Sequence, residues 1–119
     1  MALNSIIQKF GDVTLVNIQE PRLLDNRDLD GLATQLYHLV EKMDRKKLIV
    51  DFSKVQFLAS AAIGVVTSLH QKSVAIKGTL VLCGIRKDIM RVFEITRLTK
   101  LLRFCVDEKE AFAVFGVNP

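Results

Sequence analysis

The chain of 119 residues has no tryptophan, two cysteines, two prolines, two histidines and six glycines, and each scarcity excludes something. Cys83 and Cys105 stand far apart, with no Cys-x-x-Cys pair and no histidine at ligand spacing. Neither a zinc site nor a disulfide framework is therefore indicated, and buried thiols are expected. Gly64, Gly78 and Gly84 are isolated, and nothing matches GxGxxG or GxxxxGK[ST], so no phosphate-cradling loop is present. His38 and His70 have no carboxylate or cysteine pattern that would make either a base or a ligand. Both read as surface or partly buried histidines. Carboxylates cluster only at helix starts, as Asp28/Asp30 and Asp107/Glu108/Glu110, where negative charge favours the positive end of the helix dipole. With no convergent reactive groups, an enzyme is not expected, nor a metal or cofactor.

Charge of one sign is also scarce. Seventeen Lys and Arg against thirteen Asp and Glu leave a formal net charge of +4, spread over short groups such as Arg45-Lys46-Lys47 and Arg86-Lys87. Nucleic-acid binding calls for a longer basic stripe interleaved with aromatics, and here the seven Phe and Tyr37 sit mostly in apolar runs, so direct DNA binding is not expected. No stretch reaches the ~18 apolar residues of a membrane span, and Met1-Ala2-Leu3-Asn4 does not open a secretory signal. The reading is a cytoplasmic protein with no membrane span.

What is present is a hydrophobic fraction of 50% in a chain long enough for one core, so residues 1–119 are expected to form a single domain. Ile6–Phe10 and Val13–Ile18 read as two strands around a Gly11-Asp12 turn. From Asp28, the spacing of Leu29, Leu32, Leu36, Leu39, Val40 and Met43 predicts an amphipathic helix ended by Arg45-Lys46-Lys47. Leu48–Phe52 is a nearly continuous apolar run, the form of a central strand, and Ser53–Leu58 is a loop with apolar anchors. A second helix covers Ser60–Val74 with Ala62, Val65, Val66 and Leu69 inward. Strand Thr79–Cys83, a helix from Lys87 to Glu94, strand Leu101–Val106 and a closing helix Glu108–Phe115, with Ala111, Phe112 and Phe115 inward, complete the order ββαβαβαβα. That alternation implies an α/β fold: a mixed, largely parallel sheet of about five strands with some four helices and an N-terminal hairpin. Val50, Val66, Leu69, Leu82, Val92 and Phe93 are expected in the core.

Two segments carry a resemblance. Asp51-Phe52-Ser53-Lys54-Val55-Gln56-Phe57-Leu58-Ala59-Ser60-Ala61-Ala62-Ile63-Gly64 resembles the pattern Asp-x-Ser-x-Val-x-Phe-hydrophobic-Asp-Ser-Ser/Thr-Gly-hydrophobic-Gly of the STAS domain family, in particular its bacterial anti-sigma factor antagonists. Arg91-Val92-Phe93-Glu94-Ile95-Thr96-Arg97-Leu98 resembles the family's Arg-Val-Phe-Glu-hydrophobic-Thr-Gly-Leu. The resemblance implies that Ser60 is phosphorylated by a serine kinase that is itself the anti-sigma factor, and that a metal-dependent serine phosphatase reverses the mark. The chain departs from the pattern at Ala59, Ala61 and Ala62, where the family has Asp, Ser or Thr, and Gly.

Read from the residues alone, Ser60 opens a helix, where a serine can cap orphan backbone N–H groups and a phosphate would be accommodated by the helix dipole. Ser60, Gly64, Thr67, Ser68 and Gln71 follow helical spacing and are small or polar, and with Ala61 they make the candidate partner-binding face. Gly64 costs a helix on the order of 1 kcal/mol against Ala. Close approach by a partner is one reason to keep it, and relief of crowding against Phe57 or Leu58 is another. The expected function is partner switching with a kinase-type anti-sigma factor. The alternative is a STAS scaffold or adaptor of a signalling or lipid-transport complex, with Ser60 only a helix cap. A small-ligand or nucleotide-binding domain is a third possibility, one that no phosphate loop supports.

Overall fold

The structure, a computed structural model, describes residues 5–23 and 26–117, with side-chain surroundings for all of these except 26–28. Expectations on Met1–Asn4, on the Leu24–Asp25 connection and on the Asp28 carboxylate lie outside the described residues. The chain forms a hairpin of β1 (Ser5–Phe10) and β2 (Val13–Ile18), then a short β3 (Arg22–Leu23), α1 (Asn26–Glu41), β4 (Lys47–Asp51) and a short β5 (Phe57–Leu58). These are followed by α2 (Ser60–Ala75), β6 (Thr79–Cys83), α3 (Lys87–Ile95), a 3-10 turn at Leu98–Lys100, β7 (Arg103–Cys105) and α4 (Glu108–Val114). Strand order in the main sheet is β1-β2-β4-β6-β7. Among the described strands only the β1–β2 pair is antiparallel, and the apolar run 48–52 supplies the middle strand as its composition requires.

The hairpin turns on Gly11, whose φ of 64° places it in the left-handed region that a residue with Cβ avoids. Alternation then sorts the strands into two faces. Val16, Ile18, Leu48, Val50, Leu80 and Leu82 join the inner stripes of α1, α2 and α3 in the main core, while Val13, Leu15, Ile49, Val81 and Cys83 pack with Ala111 and Phe112 of α4. Val50, Val66, Leu69, Leu82 and Phe93 are buried as expected.

Four inward positions are corrected. Met43 lies beyond the end of α1 and is exposed, because the chain leaves the helix after Glu41 and bends through Asp44 at positive φ. Val65 is only half-buried, at the edge of the α2 stripe whose centre is Ala62, Val66, Leu69 and Ser73. Val92 is 40% exposed, since the nine-residue α3 touches the core through Ile89 and Phe93 alone and Val92 points to the side of that pair. Phe115 is partly buried, packed at the margin of the α4 core. Of the thiols, Cys83 is buried but Cys105 is only partly so, being on the edge strand β7. The strand expected over 101–106 is cut to three residues because a turn and a bend occupy Leu101 and Leu102 and a bend before α4 takes Val106.

Candidate functional site

The segment from Pro21 to Ser60 is held by a second, two-stranded sheet in which Arg22 pairs with Phe57 and Leu23 with Leu58. The backbone N–H groups of Gln56 and Phe57 both donate to the Pro21 carbonyl, and that of Ala59 donates to the Leu23 carbonyl at 2.9 Å. Leu23 is fully buried and Leu58 packs at the margin of the main core. The residue that precedes α2 is thus tied by its backbone to a buried anchor, and the start of α2 is fixed in space.

Ala59 occupies the N-cap position in extended conformation and offers no side-chain cap. Ser60 is therefore the first helical residue, not the cap, and its side chain is exposed. This removes the physical basis for reading Ser60 as the residue that caps α2, since that role belongs to the position before it. Ala61, Gly64 and Gln71 are exposed, and Thr67 and Ser68 are half-buried. The Thr67 hydroxyl donates back to the Ile63 carbonyl at 2.9 Å. All six predicted contact residues lie on α2, away from the buried line of Ala62, Val66, Leu69 and Ser73. A Cβ built on Gly64 meets nothing within 4 Å, so crowding against Phe57 or Leu58 is not what the glycine relieves. The space above it is open.

Sequence reasoning missed two exposed neighbours on the same segment. Phe57 is 50% exposed, and the Arg22 guanidinium lies over its ring, 5.0 Å from the centroid. Aromatic residues and arginine are residue types enriched at protein interfaces, and here the two stack on each other. In the sequence Phe57 stood as a loop anchor and a position of the quoted pattern, not as a contact residue; the pairing with Arg22 comes from a tertiary contact that no local pattern announces. The histidines hold no catalytic arrangement: His38 is exposed, and the Nδ1 of half-buried His70 has no hydrogen-bond partner among the described residues. No group of three His, Cys, Asp or Glu able to hold a metal ion occurs among the described residues. No helix among them is long and apolar enough to cross a membrane.

A second polar cluster sits at the ends of β2 and β4, where Asn17 Nδ2 donates to Asp51 Oδ2 at 3.2 Å and to Glu108 Oε2 at 3.1 Å. Asp51 Oδ1 accepts the Ser53 N–H at 2.8 Å, closing the turn that leads towards Phe57. A Cβ on Gly84, which has φ of 70°, would stand 2.6 Å from Asp51 Oδ1, so the carboxylate occupies the space a larger residue would take. The opening Asp of the Asp-Phe-Ser triplet thus has a structural task behind the site. Burial, and then the nearby Asp51 charge, push the Cys83 thiol far above its ordinary value and leave it an inert packing group.

Residues 4–111 match the STAS domain family. The chain belongs to that family. Among relatives of this STAS domain, BtrV of Bordetella bronchiseptica, a candidate anti-sigma factor antagonist, is 24% identical over 93 residues, 78% of this chain and 79% of the relative. Among solved structures, an anti-sigma factor antagonist from Mycobacterium paratuberculosis superposes with a TM-score of 0.82 at 17% identity, covering 94% of this chain and 92% of that one. The Bacillus cell fate determinant SpoIIAA in its phosphorylated form gives 0.74 at 15% identity, over 94% of this chain and 99% of that one. At such identities the structural likeness establishes the fold. The STAS assignment agrees with the hairpin, the four helices and the five-stranded mixed sheet.

Proposed function

We propose that this STAS domain is an anti-sigma factor antagonist that works by partner switching. Unphosphorylated, it binds a serine-kinase-type anti-sigma factor through the outer face of α2. Phosphorylation of Ser60 by that kinase ends the association, and a metal-dependent serine phosphatase restores it. The observation that carries the reading is the position of Ser60: exposed, first in its helix, relieved of the capping role, and held on a rigid backbone tie to Leu23. Gly64, Thr67, Ser68 and Gln71 extend the contact face along the helix, with Ala61 beside Ser60, and Phe57 with Arg22 forms its aromatic end. Ala59 brings no carboxylate beside Ser60, so orienting the hydroxyl for phosphoryl transfer falls to groups of the kinase.

A phosphate at Ser60 adds about −2 charge. The helix N-terminus tolerates it, so the fold survives, but the charge enters a contact surface where an unpaired, dehydrated anion is costly. Calorimetric titration of the wild type, Ser60→Ala and Ser60→Asp against a serine-kinase anti-sigma factor from the same organism tests this. Ser60→Asp is expected to bind at least tenfold more weakly, about 1.4 kcal/mol. Ser60→Ala should bind like the wild type and not be released by ATP, and mass spectrometry of the wild type after incubation with kinase and ATP should show one phosphate on Ser60. Equal affinities for all three proteins would place the chain in the adaptor class instead.

A further inference from the structure

The crossovers from β2 to β4, β6 and β7 proceed in one direction across the sheet, so α1, α2 and α3 all lie on one face. The opposite face, built of Val13, Leu15, Ile49, Val81 and Cys83, is covered by α4 and the residues that follow it, with Phe10 edge-on to Phe112 at 5.1 Å. A seven-residue helix cannot hold itself together by its own hydrogen bonds, so α4 persists only while docked. Its first turn is where docking is polar. Glu108 turns inward and shares the amide of Asn17 with Asp51, which is 4% exposed, and the two carboxyl groups lie within hydrogen-bonding reach of each other.

We propose that Asp51 and Glu108 hold one proton between them and that this proton is a latch fastening α4 to the sheet, so that losing it favours undocking of the helix. Two ionised carboxylates held this close, one of them out of water, repel each other, and a single bridging proton turns the repulsion into a charge-assisted hydrogen bond. Among the described residues the surroundings offer no substitute. On β2 the pair meets neutral Asn17, whose Oδ1 accepts from Gln19, and Lys54 enters only at the far side of Gln19. Asp107 at the α4 N-cap adds a further negative charge, while Cys83 of β6 faces the pair and feels both carboxylates. Further out, Cys105 of β7 lies near Glu110, Arg103 and Asp107. The hydrogen bond to Asp51, then burial, then the Asp51 charge, push Glu108 up from its ordinary 4.5 to about 7, against the helix dipole, which by itself favours the ionised form.

The sign follows from which state holds the proton. Undocked, Glu108 faces water and ionises near its ordinary value; docked, it keeps the proton to about 7. The latch is therefore fully closed below about 4.5 and weakens as pH rises to about 7, the opening constant growing by up to about tenfold per pH unit in that interval. Amide hydrogen exchange of residues 110–114 in the intact protein, corrected for intrinsic rates and followed from pH 5 to 8, reads that constant directly. The wild type should show the rise and level off above about 7, while Glu108→Gln, which still donates to Asp51 but cannot titrate, should stay flat. A flat wild type, or the same slope in Glu108→Gln, overturns the proposal. So does a carboxyl-carbon NMR titration that finds Glu108 changing near 4.5.

Discussion

Asp44, Lys77 and Arg97 hold their backbones at positive φ in spite of their side chains. Arg97 has φ of 61° between α3 and the 3-10 turn, at the position where the family pattern has glycine. A side chain in the left-handed region costs roughly 1–2 kcal/mol, and glycine returns part of that gain as extra freedom of the unfolded chain, about 0.4–1 kcal/mol. Arg97→Gly should therefore stabilise by about 0.5–1 kcal/mol, read as a higher urea midpoint at unchanged slope. Ser73 is 1% exposed, and its hydroxyl finds no partner among the described residues. Ser73→Ala should raise stability by about 1 kcal/mol, since it removes a dehydrated polar group and adds a better helix former. Thermal unfolding checks it, and a loss would mean the hydroxyl is bonded after all. Arg97 could be suspected from the sequence because a pattern glycine was missing. Ser73 could not, because its burial depends on how far the inner line of α2 runs.

Elements differ in how plainly the sequence announces them. Thr79–Cys83 was legible to the residue because Lys77-Gly78 and Gly84 bracket one apolar run, and the hairpin and α2 were legible within one residue because a Gly-Asp turn and a helical period leave few alternatives. The β3–β5 pair was not legible, since two residues on each side carry no period and their pairing is set by the docking of Leu23. In α3 the error at Val92 has the same origin: nine residues give only one buried i, i+4 pair, Ile89 and Phe93, and the third apolar position falls outside the contact. Nor was the Asn17–Asp51–Glu108 cluster visible. Its members come from three distant elements, and the acidic run at 107–110 divides its work, with Asp107 capping the Glu110 N–H at 2.9 Å while Glu108 turns to the sheet. Where an element has a long buried line, the energetics are firmer. Leu69 is 1% exposed at the centre of the α2 line against the main sheet. Leu69→Ala should cost about 2–5 kcal/mol through lost transfer energy and the cavity left behind, and a loss under about 1 kcal/mol in urea titration would contradict that packing.

At the scale of the whole molecule, the one-way crossovers place three helices on one face, with no reversal of strand order among the described strands and so no topological switch point there. What the architecture offers instead is a fixed outer helix face, and Gly64 tests whether that face is built for contact. Gly64 lies inside α2, exposed, at ordinary φ, with nothing within 4 Å of an added Cβ. For the isolated protein an alanine there is favourable on every count: no clash, no strained backbone and about 0.5–1 kcal/mol of helix propensity gained. Gly64→Ala should therefore raise the urea midpoint. Against the kinase-type partner the same methyl should do the opposite, because a face that keeps a bare backbone next to Ser60 is one that a partner approaches closely, and one methyl held off by van der Waals contact opens a gap around it. Stability and affinity are expected to move in opposite directions, with binding weakened about tenfold, and one pair of measurements on one variant decides it. If Gly64→Ala gains stability and binds as before, the partner's contact lies elsewhere on the domain, and the search should move to Phe57 and Arg22.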